Sequence, residues 1–242
     1  MKVDILAFGV HPDDLELGCG GTILAAIAEG KKVAVVDLTR GELGTRGSAE
    51  IRTQEALNAA KILGVEHREN LDMRDGFFQN DEENIRKVIT SIRKYQPTVV
   101  LCSAPEDRHP DHGRSSKLIV DAAFLSGLRR IETEYDGQAQ QSWRPANVFH
   151  YIQDRYLKPD FVYDISAHFE QKMKAVLCYT TQFNTTDKSE PSTYISNPDF
   201  LDVIKARALM FGKRIGVTFA EGYITQKMIG ISSFDNIIQN VT

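Results

Sequence analysis

Val3-Asp4-Ile5-Leu6-Ala7-Phe8-Gly9-Val10-His11-Pro12-Asp13-Asp14 joins an apolar run to a polar word. Residues 3–8 form a short apolar stretch ended by Gly9, which predicts a buried strand. A near-copy of the word, His109-Pro110-Asp111-His112, stands shortly after a second such run, residues 98–103. Between the two lie an expected helix over 22–29 stopped by Gly30, a Val/Ala-rich strand over 32–38 and a helix over 48–63. A short strand over 65–71 and a helix over 82–95 follow. Ser48 is the expected N-cap of the second helix and Gly64 its stop. Ile85, Val88, Ile89 and Ile92 form one stripe on the third. A fourth helix is expected over 113–128. Strands alternating with helices at this spacing predict parallel βαβ units. The expected fold is therefore a Rossmann-like, doubly wound α/β sheet, mostly parallel, of order 3-2-1-4-5, with helices on both faces.

The 242 residues suffice for one sizeable core. A single domain over 1–242 is expected, with the Rossmann-like core over 1–130 and a less regular part over 131–242. That part contains expected strands over 146–153 and 161–165 and helices over 167–179 and 200–214. Two polar stretches, 131–145 and 182–198, lack apolar periodicity. The second is long for a plain connector and favours a lid or an oligomer contact. Net charge is −4 and no Lys/Arg block stands out, which argues against nucleic acid or an anionic membrane as partner. No apolar run approaches the roughly 18 residues that span a bilayer. Cys19, Cys102 and Cys178 are odd in number and far apart, as expected of thiols in a reducing cytoplasm.

In the expected sheet, strands 1 and 4 are neighbours and the winding reverses between them. Loops after their C-terminal ends open into the crevice where such folds bind ligands. The two words follow these two strands, so they would face each other. His11 and Asp14 sit on one turn, and His112 would add a third ligand from the facing loop. Two imidazoles and a carboxylate are a common zinc set with positions left for water or substrate; iron(II) or cobalt(II) suits the same donors. Asp13 is free to take a proton from a water whose pKa zinc draws toward ~7. His109 is expected to stabilise an oxyanion as a cation or to help protonate a leaving group. Asp111 is expected to orient His109. A single such word would more often be a polar turn with an Asp cap; two copies after two strands favour a shared site. His67, His150 and His168 lack such company and read as structural.

Gly18-Cys19-Gly20-Gly21 and Asp37 suggest a dinucleotide fingerprint, but Ile23 replaces the third glycine and seven residues separate strand from glycines. Close packing of the first helix on the sheet explains those glycines instead. The stretch Arg40-Gly41-Glu42-Leu43-Gly44-Thr45-Arg46-Gly47 follows strand 2 at the same sheet edge. Arg52 is a candidate clamp for a substrate carboxylate, weighed against a solvated pair with Glu55. Arg46, Arg108 and Tyr194 are weaker candidate contacts.

These words, in this order, together with Gly18-Cys19-Gly20-Gly21-Thr22 and Ala220-Glu221-Gly222-Tyr223, resemble the LmbE-like (PIG-L) family of zinc-dependent N-deacetylases. Length and opening phrase look closest to its branch that removes acetate from N-acetyl-α-D-glucosaminyl L-malate in bacillithiol biosynthesis. The resemblance implies His11, Asp14 and His112 as zinc ligands, Asp13 as general base and His109 as its partner. It also implies a substrate pocket near Glu42 and Arg52, and a hexamer. The expected partner is a small N-acetyl amino sugar conjugate. The rival reading is a carbohydrate-binding protein without turnover.

Overall fold

The computed structural model describes residues 1–183 and 190–237. In chain order the elements are β1 (Ile5–Gly9), α1 (Asp14–Ala28), β2 (Val33–Thr39), α2 (Ala49–Leu63), β3 (His67–Met73), α3 (Glu82–Tyr95), β4 (Val99–Ser103) and α4 (Pro110–Leu125). The second half adds β5 (Glu134–Tyr135), β6 (Gln138–Ala139), β7 (Asn147–Tyr151), β8 (Phe161–Asp164), α5 (Phe169–Val176), α6 (Thr180–Phe183), α7 (Phe200–Arg214) and β9 (Ala220–Thr225). The main sheet runs β3-β2-β1-β4-β7-β9-β8. Its first five strands are parallel, which is the expected 3-2-1-4-5 order with β7 as the fifth strand. β9 then pairs antiparallel with both β7 and β8. β5 and β6 make a separate hairpin in the 131–145 stretch.

Strand periodicity divides the core. In β1 and β2, Ala7, Val33 and Val35 face one layer with α1, α2 and α5. Leu6, Phe8, Ala34 and Val36 face the other, against Val88, Ile89 and Ile92 of α3 and Leu118, Ile119 and Ala122 of α4. Both faces are buried, as a parallel sheet requires. The Ser48 side chain accepts from the Ile51 N–H and Gly64 closes α2 in a left-handed turn, as its sequence predicts.

The first helix begins eight residues earlier than its periodicity indicates, at Asp14, and is broken at Cys19 (φ −141°, ψ 16°). The break frees backbone groups inside the protein, where they need partners. Glu221, on β9, supplies one carboxylate: it accepts from the N–H groups of Gly21 and Thr22 (2.9 and 2.8 Å) and from the Thr22 hydroxyl (2.7 Å). Lys172 Nζ on α5 donates to the Leu17 carbonyl (3.0 Å) and to Glu221 (2.5 Å). Tyr223 donates to the Thr22 hydroxyl (2.6 Å). The glycines of the break allow close packing, as expected. A Cβ at position 18 would lie 2.3 Å from the Tyr151 ring, and one at 21 would lie 2.7 Å from Ile165.

Among the described residues no helix is long and apolar enough to cross a membrane. Gly18→Ala should overpack this contact at a cost of about 1–3 kcal/mol. In a chain of this size that is a fall in Tm of about 2–12 °C by calorimetry; an unchanged Tm would show that the Tyr151 ring yields freely.

Candidate metal and catalytic site

α1 and α4 pack on opposite faces of the sheet and start directly beyond the adjacent strands β1 and β4. Their first turns therefore meet at the point where the winding reverses. The Asp14 carboxylate lies at the centre. Its Oδ2 accepts from the backbone N–H of Val10 (3.1 Å) and His11 (2.8 Å) and lies 3.4 Å from His11 Nδ1. Its Oδ1 accepts from Gln153 Nε2 (2.7 Å) and lies 3.3 Å from His112 Nε2. One carboxylate thus lies between the two imidazoles expected to share a metal with it. The His109 ring completes the cluster, with its centroid 4.7 Å from that of His11 and 5.4 Å from that of His112.

The far nitrogen of each candidate ligand is also held. His11 Nε2 is 3.0 Å from Asp75 and 3.8 Å from Asp111. His112 Nδ1 is 2.6 Å from Asp107. Carboxylates on the outer nitrogens fix ring orientation and leave His11 Nδ1 and His112 Nε2 facing Asp14. Burial alone would lower the His112 imidazole, but Asp14 and Asp107 outweigh it and raise its pKa to about 9. Burial likewise opposes, and Asp111, Asp14 and Asp75 overcome, so the His11 imidazole is also raised well above its ordinary value. The negative surroundings therefore favour positive charge at this point. With two imidazoles and a carboxylate converging, they fit a divalent cation. Side chains close enough to share an ion include His11, His109 and His112, and also His11, Asp75 and Asp111. His109 and Asp75 therefore stand near enough to compete with, or support, the expected set.

Asp13 is the strained residue of the site. Its φ is 122° at a non-glycine position, a conformation that costs of order 1–3 kcal/mol and collects at functional sites. It occupies the N-cap position of α1, yet its side chain makes no capping hydrogen bond. The bland reading of the word as a capping turn therefore does not describe it. Burial pushes its carboxyl up to about 7, against the pull of Arg52 and with a push from Asp14.

Several expected contacts are placed differently. Arg52 is buried and committed to the protein: Nη2 donates to the Pro12 carbonyl (2.6 Å) and to Asp13 Oδ2 (3.3 Å), and Nη1 to the Gly41 carbonyl (3.2 Å). These contacts tie the guanidinium to the turn that carries Asp13. Glu55 forms no exposed pair with it, because its carboxylate accepts from Thr180 and Thr181. Arg46 is buried and donates to the Thr181 and Pro191 carbonyls. Asp111 does not orient His109 with its carboxylate, which instead takes Arg114 (2.5 Å) and the Gly76 N–H (2.8 Å). Only its backbone N–H reaches His109, donating to Nδ1 (3.3 Å). Burial, then His11 and His112, lower the His109 pKa, which disfavours the cationic form of that ring.

Glu42 is exposed and accepts from the Asp75 N–H (2.9 Å). Arg108 and Tyr194 share Asp154: Arg108 Nε donates at 2.6 Å and the Tyr194 hydroxyl at 3.0 Å, with the guanidinium 4.3 Å above the Tyr194 ring. Of the expected lid, residues 184–189 lie outside the described residues. The sequence reading missed Asp75, Asp107 and Gln153. Asp75 and Gln153 follow the ends of β3 and β7 on the crevice side, and Asp107 stands two residues before His109, so position alone could have flagged them.

The family model described as GlcNAc-PI de-N-acetylase (PIG-L) matches residues 6–123, which contain both words. Diacetylchitobiose deacetylase of Thermococcus kodakarensis is 29% identical over 97% of this chain and 88% of that protein. The crystal structure of a conserved protein of Thermus thermophilus superposes with a TM-score of 0.85 at 35% identity, covering 96% of this chain and 98% of that one. The chain belongs to the PIG-L deacetylase family and is an enzyme of that family. A probable N-acetyl-α-D-glucosaminyl L-malate deacetylase of Bacillus anthracis is 26% identical over 72% of this chain and 79% of that protein. Identity therefore does not single out the bacillithiol branch.

Removing the carboxylate behind His112 tests the geometry. Asp107→Ala should weaken Zn2+ binding by about 10- to 100-fold in a chelator competition. Equal affinity in the variant would mean that another group sets the His112 ring.

Proposed function

We propose that this chain hydrolyses the N-acetyl group of a small N-acetylated amino sugar conjugate at a divalent metal held by His11, Asp14 and His112. Zinc suits that donor set, and iron(II) or cobalt(II) could take the same ligands. The observation that carries the reading is Asp13. It is a buried carboxylate held in a strained conformation next in sequence to the candidate ligand Asp14, and it makes no capping hydrogen bond to the helix it precedes.

When bound, the ion supplies Lewis acidity toward an amide oxygen and a water. Asp13 takes the proton of the attacking water, and Arg52 keeps its carboxylate in place. His109 accepts the Asp111 N–H on Nδ1, so the neutral ring carries its proton on Nε2. That Nε2–H donates to the carbonyl oxygen as negative charge collects there, as a preorganised donor should. Cleavage of the C–N bond releases acetate, and Asp13 returns its proton to the departing amine.

Glu42, Arg108 and Tyr194 remain the proposed sugar or aglycone contacts; Arg46 and Arg52 come after them, since both guanidinium groups already donate to backbone carbonyls. Within the class we place N-acetyl-α-D-glucosaminyl L-malate first, on the opening phrase and the likeness to the Bacillus anthracis protein. Diacetylchitobiose comes second, on the likeness to the Thermococcus kodakarensis protein. The same reading includes a homo-hexamer, which light scattering measures directly.

The test is release of free amine from a panel of N-acetyl sugars, with and without chelator. Asp13→Asn should retain bound metal and lose about 10²- to 10⁴-fold in kcat, the usual worth of a positioned acid–base group. Equal rates in mutant and wild type would remove Asp13 from the mechanism. A metal-replete wild type that binds but never cleaves these sugars would favour the carbohydrate-binding reading.

A further inference from the structure

Gln153 follows β7 and is 8% exposed. The chain on either side is tied down. Tyr151 pairs with Ser103 and Tyr223, the Ile152 N–H donates to the Gly222 carbonyl, and Asp154 holds Arg108 and Tyr194. The Gln153 side chain reaches the candidate metal centre, and the next residue, Asp154, carries the Arg108–Tyr194 group. Its Nε2 donates to Asp14 Oδ1 at 2.7 Å. A carboxylate flanked by imidazoles can only accept, so the amide must turn its NH2 to Asp14 and its carbonyl elsewhere. That carbonyl, Oε1, is buried and has no hydrogen-bond partner among the described residues. Folded chains seldom bury an acceptor without a donor, because it has given up water for nothing. Beside a candidate metal centre, the donor it lacks is supplied by water or by a bound ligand.

We propose that Gln153 is a substrate-contact residue. Its Oε1 accepts a hydrogen bond from the N-acetyl amino sugar, given either by the amide N–H or by the hydroxyl beside it. This deepens the deacetylase reading and rests on it. The amide serves both partners at once: its NH2 holds the carboxylate between the imidazoles, and its carbonyl registers the substrate against them. A sugar lacking the donor would leave Oε1 unpaired in the complex and be turned over more slowly, the usual origin of strong discrimination between polar substrates.

Two variants separate the roles. Gln153→Met keeps length and apolar packing and removes both amide groups. Gln153→Lys keeps a donor for Asp14 and removes the acceptor. Zn2+ affinity is measured by chelator competition, and kcat/KM is then measured at saturating Zn2+ on the best substrate of the panel. Both variants should bind Zn2+ more weakly than the wild type, Gln153→Met because Asp14 loses a donor and Gln153→Lys because its ammonium repels the cation, and both should lose about 10- to 100-fold in kcat/KM with the metal site filled. Repeating the comparison with the sugar deoxygenated beside the acetamido group identifies the donor. A penalty that vanishes names the hydroxyl, and one that persists names the N–H. Full recovery of both variants by saturating Zn2+ would overturn the proposal, since Gln153 would then act through Asp14 alone. A wild type inert toward every N-acetyl sugar would overturn the deacetylase reading and this inference with it; an active wild type matched by its variants would overturn this inference alone.

Discussion

The Asp14 carboxylate holds the candidate site together. Two backbone N–H groups from the end of β1 and the Gln153 amide donate to it, and it lies within 3.4 Å of both candidate imidazoles. A carboxylate gripped by backbone donors has little freedom, and the rings beside it are gripped from behind by Asp75 and Asp107. Donors fixed on both sides are what a metal site needs, because an ion then binds without ordering its own ligands. The sheet topology matters because it delivers these pieces. β1, β4 and β7 are consecutive neighbours, so the turns after them supply Asp14, His112 and Gln153 to one point.

The broken first helix connects this point to the C-terminal part of the chain. Along it, Gly18 packs against the Tyr151 ring and Gly21 against Ile165. The break at Cys19 exposes backbone groups, which the buried pair Glu221 and Lys172 then satisfies. Breaking such a pair leaves an uncompensated charge inside the protein, typically at about 3–5 kcal/mol. This explains in physical terms why Ala220-Glu221-Gly222-Tyr223, far from both words in sequence, belongs with them. Glu221 holds the helix whose first turn bears Asp13 and Asp14, and Tyr223 reinforces Thr22.

Regular periodicity made much of this legible. The bounds of α3 and α7 match the sequence reading residue for residue, since each has a continuous apolar stripe and clear ends. The five-strand parallel order followed from alternation of strands and helices, and it put the two words face to face. Illegible features depended on distant partners. Residues 14–21 look like a loop because of their glycines, and the side chains that satisfy the broken backbone, Glu221 and Lys172, are far away in sequence. β9 lacks alternation and exists because β7 and β8 offer it edges. Arg52 looked free for substrate because nothing local shows that the Pro12 and Gly41 carbonyls would approach it. Asp111 looked like a partner for His109, but Gly76 and Arg114 reach its carboxylate instead.

The two words therefore share a composition and divide the chemistry unequally. In the first, adjacent carboxylates part company because their backbones do. Asp14 lies within the helix and turns back to the N–H groups of Val10 and His11, whereas the strained Asp13 points to Arg52. In the second, helix geometry places Asp111 toward His11 and His112 toward Asp14, and leaves His109 outside the helix with its Nδ1 turned to the Asp111 N–H. A strain of order 1–3 kcal/mol at Asp13 is tolerated because Arg52 grips both the Pro12 carbonyl before it and its own carboxylate. The guanidinium expected to meet a substrate carboxylate thus also ties down the turn that carries the proposed base.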